Sequence, residues 1–144
     1  IKQILDIEAK AAVRRSCETG CTLVVESRKI INNLKSGRLS LWARNYFANR
    51  CEVLCKEVGV FFLEVSPWKS SQTCAECREI GERNQEVFVC KNANCSEYLR
   101  EVDSDLNASK ELRNRGRQVL VEKIIPQWHN QVAVKLASLD ASVR

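Results

Sequence analysis

Four cysteines constrain this chain more than any other feature. Cys74 and Cys77 form a C-x2-C pair, twelve residues intervene, and Cys90 and Cys95 form a C-x4-C pair. Two short cysteine pairs joined by a loop supply four soft donors from two knuckles, which is what a tetrahedral zinc requires. The spacing predicts a zinc ribbon whose metal is structural. Ser70-Ser71-Gln72 precedes the run, and Asp103-Ser104-Asp105-Leu106-Asn107-Ala108 follows it.

The remaining cysteines read differently. Cys51 and Cys55, spaced i, i+4, share a helix face and suit a small-residue core, with a second metal site as the alternative; Cys17 and Cys21 carry no assigned role. Eight cysteines in all would suggest disulfides in a secreted chain. No short apolar stretch with a small-residue cleavage site opens the sequence, so thiolates on metal in a reducing compartment are expected.

No apolar run approaches the length that spans a bilayer, and no membrane partner is expected. The chain opens at Ile1 and contains no methionine, which leads us to expect a piece of a longer translation product. Its 144 residues suffice for one domain with a modest core. Lysine and arginine number 23 against 18 acids, a net charge of +5 that suits a polyanionic partner without demanding one.

Ile4, Leu5, Ile7, Ala11, Ala12 and Cys17 recur at helical intervals and predict an amphipathic helix ending near Gly20. Thr22 to Glu26 is β-branched and apolar up to its last residue, so it reads as a buried strand that presents an acid, Glu26, at its carboxyl end. Ile30 to Gly37 reads as an irregular basic connection. From Leu39 to Val58 a second helix is expected, carrying Trp42, Tyr46, Phe47 and Leu54 and stopped by Gly59. Val60 to Val65 is a second buried strand closed by Pro67, and the order helix, strand, helix, strand predicts an α/β domain with parallel strands.

Within the ribbon, Glu86 to Val89 reads as a small strand feeding Cys90. Asp105 is expected to start a helix, with a cap role as its plainer reading. Gly116 is expected to interrupt that helix and Pro126 to break it. A last helix over Gln127 to Leu139 would pack through Trp128, Val132, Val134 and Leu136, and His129 has no assigned role. Glu26 and Asp105 are far apart in sequence, yet strand end and helix start can bring two carboxylates to one edge of a sheet. Carboxylates gathered in this way bind magnesium, and paired magnesium ions promote in-line attack on a phosphodiester.

In this order the motifs resemble the C-terminal region of the transposon-encoded TnpB nucleases and the related type V CRISPR effectors. Val24-Val25-Glu26 resembles their second RuvC motif. Val65-Ser66-Pro67, Ser70 to Cys77 and Phe88-Val89-Cys90 resemble their inserted zinc ribbon, and Asp103 to Ala108 resembles the third RuvC motif. The likeness runs from about Ile1 to Gly116. It implies a partial RNase H-like (RuvC) fold: residues 1–69 as the part bearing the second motif, 70–99 as the zinc ribbon insert, and 100–144 as the third motif with C-terminal helices.

The resemblance also implies the C-terminal part of an RNA-guided, magnesium-dependent DNA endonuclease, with guide RNA and target DNA as partners, in the cytoplasm of a prokaryotic cell or encoded by a phage. By motif position Glu26 is the middle catalytic acid and Asp105 the last, with Asp103 a lesser candidate outside the direct ligand set. The family's first acid precedes everything here, on first strands this chain lacks. The chain alone is therefore expected to be inactive without its missing N-terminal part. Two departures stand out: Arg78 and Ser96 occupy positions after the cysteine pairs where the family commonly has glycine, and the second pair is widened. The alternatives are a nuclease-dead guided DNA-binding protein and a zinc-ribbon module or scaffold without catalysis.

Overall fold

The computed structural model describes residues 1–28 and 38–132. Helix α1 (Lys2–Thr19) leads into strand β1 (Leu23–Glu26), helix α2 (Arg38–Val58) and strand β2 (Phe62–Val65). β1 and β2 pair in parallel, with Leu23 opposite Phe62 and Glu26 opposite Val65. The predicted helix–strand–helix–strand order and parallel pairing are both present. The basic connection expected over Ile30 to Gly37 lies outside the described residues.

Both helices stop where glycine takes up the left-handed conformation that other residues resist: Gly20 has φ 63° and Gly59 φ 73°. Each stop turns the chain directly into a strand. Side chains alternate along β1, so Leu23 joins the α1–α2 core while Val24 faces the opposite way. That core is built from Ala9, Val13, Cys51 and Cys55, with Leu23, Phe47, Leu54, Val60 and Phe62 around it. Cys51 and Cys55 are 0% exposed. They serve as small apolar packing residues, and burial pushes the Cys51 thiol up to about 11.

The buried face of α1 differs from the one the periodicity suggested. Ile4 and Ile7 are 63% and 64% exposed, and Ala11 and Cys17 are exposed as well. The face that meets α2 consists of Ala9, Val13 and Ser16. Small residues win this interface because they let the helices approach closely, and the polar grip of Tyr46 and Arg50 on Asp6 fixes the rotation of α1 about its axis.

After β2 a short 3-10 turn (Ser70–Gln72) enters the cysteine region, whose sheet contains β3 (Glu82–Asn84), β4 (Val87–Val89) and β5 (Glu101–Asp103) in antiparallel order. β4 is the strand expected before Cys90. β5 was not anticipated; it pairs with β4, Val87 opposite Asp103, and hands the chain straight to helix α3 (Ser104–Val119).

Gly116 does not interrupt α3. A Cβ there would sit 2.6 Å from Val24 Cγ2, so the missing side chain lets the helix lie directly on β1. Beyond α3, Leu120–Ile124 forms a π turn in which the Ile125 N–H donates to the Leu120 carbonyl, and residues 125–132 continue as helix. Pro126 therefore does not end the helix. The widened turn just before it relaxes the ladder that a proline ring would otherwise clash with. Trp128, expected to pack, is 61% exposed. Val134 and Leu136 lie outside the described residues.

Candidate metal centre and acidic edge

The first knuckle is closed by backbone bonds around Cys74: its N–H donates to the Glu79 carbonyl and its carbonyl accepts from Arg78 N–H, both at 2.9 Å. Such a turn requires a left-handed residue, and Arg78 fills it at φ 67° where glycine would be unstrained. In the second knuckle the Leu99 N–H donates to the Cys90 carbonyl at 2.9 Å and the Tyr98 N–H to the Cys95 carbonyl at 3.0 Å. The widened spacing is absorbed by an Asn92 turn, its side chain accepting from Asn94 N–H. Phe88, fully buried, packs beneath Cys74 and Cys90, and Gly81 passes so close that a Cβ would meet the Phe88 ring at 2.6 Å and the Val89 carbonyl at 2.5 Å.

The four Sγ atoms lie within 4.8 Å of one another. Cys74 and Cys95 are 3.9 Å apart, and Cys77 and Cys90 3.7 Å. Four Zn–S bonds of about 2.3 Å in a tetrahedron place sulfurs about 3.8 Å apart, whereas a disulfide would need about 2.05 Å. The spacing fits a tetrathiolate zinc site and not two disulfides.

Burial pushes the Cys90 thiol up to about 12 and raises Cys74 as well. At Cys77 burial works in the same direction, but the Glu79 N–H and the neighbouring thiols outweigh it and hold that group low. Cys74 and Cys90 thus resist ionising until a cation joins them; binding zinc releases their protons.

Asp103 and Asp105 lie where the ribbon sheet passes into α3, and Glu26 ends a strand of the other, parallel sheet. Asp103 ends β5 and caps α3, one of its oxygens accepting from Asp105 N–H at 3.0 Å and Leu106 N–H at 2.8 Å. The cap expected of Asp105 thus belongs to Asp103, because the chain leaves β-geometry there. The Asp105 side chain is 91% exposed, with only Arg83 near it at 3.9 Å. Glu26 ends β1, half-buried, with no hydrogen bond or ion pair among the described residues. By strand alternation it shares the face of Val24, the face on which α3 lies.

From the Gly116–Val24 contact, Asp105 is about 16 Å away along the helix and Glu26 about 7 Å along the strand. By strand alternation and helix phase the two acids fall on one face, and they form no closed cluster among the described residues. Among the described residues the four cysteines are the only group of three or more potential ligands drawn together.

Sequence reading missed the seam joining the knuckle to α3. Asn107 accepts from Ala75 N–H at 3.0 Å and donates to the Thr73 carbonyl at 2.7 Å, while Asn114 donates to the Ala75 carbonyl at 2.7 Å. Glu111, 1% exposed, is held by Arg115 at 2.9 Å and Arg78 at 3.2 Å. The Arg78 contact is ionic and too poorly aligned to count as a hydrogen bond, leaving one Glu111 oxygen without a donor. The signal was present in sequence: polar residues at 107, 111, 114 and 118 recur at helical spacing.

Some of the basic residues that could otherwise meet phosphates are occupied by the fold. Arg28 bonds Glu64 and Asn49 and meets Glu52 at 2.7 Å, and Arg115 also donates to the Ser66 and Trp68 carbonyls. Arg44, Arg113 and Arg117 are exposed. Lys29 and Lys35 lie outside the described residues.

Residues 45–112 match the family model described as Cas12f1-like, TNB domain, a span holding the four cysteines, Asp103 and Asp105 but not Glu26. No curated protein matches the chain. Among solved structures it is similar to one described as the cryo-EM structure of the Cas12f1-sgRNA-target DNA complex, with a TM-score of 0.59 and 17% identity over 77% of this chain. The chain spans 32% of the chain in that structure, so the likeness concerns a part of a larger protein's fold. The mixed α/β architecture is thus Cas12f1-like, and the stretch from α2 through the cysteine ribbon into α3 is a region related to the TnpB proteins and type V effectors.

Proposed function

We propose that this chain is the C-terminal part of an RNA-guided DNA endonuclease, with Glu26 and Asp105 as magnesium ligands of a RuvC-like, RNase H-like domain and the four cysteines as a structural zinc site. The observation that carries this reading is the placement of two carboxylates that the fold does not use. Glu26 closes a parallel strand without a polar partner among the described residues, and Asp105 projects from the first turn of the helix packed on that strand's own face. Glu26 has no stabilising partner among the described residues and Asp105 has only the helix N-terminus and a distant Arg83, whereas hard divalent ions require such oxygens.

Magnesium, when bound, would supply charge neutralisation at the scissile phosphate and an activated water. The chain's own residues do the positioning. β1 and β2 hold Glu26 at the sheet's carboxyl end, and α3 presents Asp105. Asp103, with one oxygen spent on the cap, keeps its second oxygen for the outer hydration of the site. Two acids are too few for a two-metal site, so a third comes from the part of the protein lying upstream. The domain scheme is 1–69, 70–99 and 100–144, with β5 carrying the ribbon's sheet into the third motif. The partners are guide RNA and target DNA, as the complex of the structural relative suggests, and the setting is the prokaryotic cytoplasm.

A nuclease-dead guided DNA-binding protein is the second reading. It is favoured by one observation: no third acid joins Glu26 and Asp105 among the described residues. The test is cleavage of guide-matched DNA by the longer protein carrying this segment. Magnesium should support cutting, EDTA should stop it, and Asp105→Asn should abolish it while DNA binding persists. Undiminished cutting by Asp105→Asn overturns the assignment.

A further inference from the structure

We propose that Asn107, Glu111 and Asn114 are positioning residues that fasten the first cysteine knuckle to α3, so that metal in the knuckle fixes the helix turn bearing Asp103 and Asp105. The acids' purpose rests on the nuclease reading; the mechanical coupling does not.

A helix that buries polar side chains loses stability unless each finds a partner. Here the partners are the backbone groups on either side of one metal-ligand candidate. Asn107 spends both halves of its amide on Thr73 and Ala75, the neighbours of Cys74, and Asn114 takes the Ala75 carbonyl. Both backbone polar groups of Ala75 therefore end on α3. One turn further on, buried Glu111 meets Arg78, the left-handed residue that closes the knuckle. Gln118 accepts from the same guanidinium at 3.4 Å.

Four helix positions on one stripe thus grip the six-residue segment from Thr73 to Arg78. Asn107 lies two residues from Asp105 and four from Asp103, within the first turn of the helix. A shift in the Cys74 backbone would strain bonds of 2.7–3.0 Å that have no slack. Metal that locks Cys74 also locks that turn, and by linkage the docked helix raises the knuckle's affinity for metal by the same factor.

The test is amide hydrogen exchange of the 144-residue chain with and without zinc, together with the absorption spectrum of its cobalt-substituted form. Zinc should raise protection of the α3 first-turn amides by about tenfold, within the usual range of coupling between sites. Asn107→Ala should erase that gain and weaken zinc about tenfold, yet keep the tetrahedral thiolate spectrum of cobalt. Arg113→Ala, exposed and away from the seam, should retain the gain. If Asn107→Ala fails to fold, Asn114→Ala, which removes a single bond, should reduce the gain part-way.

Equal α3 protection with and without zinc overturns the proposal, as does full gain in both asparagine variants. A gain of the same size throughout α1 and α2 also overturns it, because zinc would then act through global folding. Neither readout involves cleavage, so a failed nuclease reading leaves these outcomes unchanged.

Discussion

Gly116→Ala sets two effects of opposite sign against each other. In an open helix interior the change would stabilise by about 1 kcal/mol, since glycine pays more backbone entropy than alanine. Here the new Cβ would lie 2.6 Å from Val24 Cγ2 and 3.0 Å from Cγ1. Favourable carbon–carbon separations begin at about 3.5 Å, so an overlap near 1 Å must be relieved. Val24 sits on a strand whose backbone is paired to β2, and its branched side chain has few rotamers to escape into. Overpacking of this kind costs about 1–3 kcal/mol. The net expectation is a loss of about 1 kcal/mol in urea unfolding of the zinc-loaded chain. In a Val24→Ala background the overlap vanishes, and the same Gly116→Ala change should become stabilising by about 1 kcal/mol. A double-mutant cycle reads the sign reversal directly. Stabilisation in both backgrounds would refute the packing of α3 on β1, and with it the shared face of Glu26 and Asp105.

Three further outcomes are expected. Arg78→Gly relieves a left-handed arginine, worth about 1–2 kcal/mol, but removes a charge from buried Glu111, whose loss outweighs it even after allowing for the partner that Arg115 still provides. It should destabilise the wild type yet stabilise a Glu111→Gln variant, measured by thermal unfolding. Gly81→Ala, which drives a methyl into the Phe88 ring and the Val89 carbonyl, should cost about 2 kcal/mol or more and lower zinc retention against a chelator. Zinc affinity should fall as pH falls, because protons compete for thiolates that burial already disfavours at Cys74 and Cys90; a pH-independent affinity would exclude cysteine ligation.

Signals confined to a few neighbouring residues were legible in the sequence. The cysteine spacing, the glycine stops at Gly20 and Gly59, the apolar strands and the acid closing β1 are each set within about one turn or strand of chain. Choices made by partners distant in sequence were not. The periodicity of α1 offered Ile4 and Ile7 as the inner face, but packing against Cys51 and Cys55 favours Ala9 and Val13. Asp103 and Asp105 stand two residues apart and either is a good cap by type; the pairing of β5 with β4 decides for Asp103 by fixing where the strand ends. Gly116 read as a break because its reason, the Val24 side chain, lies about ninety residues earlier. The polar residues of α3 recur at helical spacing, and only the folded knuckle turns that stripe into a seam.

The most direct measurement is single-turnover cleavage of guide-matched DNA by the longer protein carrying this segment, comparing the unaltered chain with Glu26→Gln, which keeps size and removes charge. Binding is measured in parallel on the same DNA. If Glu26 holds the working metal, cleavage in magnesium should fall by at least about a thousandfold, the scale expected when a metal's main charge stabilisation is lost, with binding unchanged. Cleavage at the unaltered rate in Glu26→Gln would contradict the assignment of this strand end to the catalytic centre.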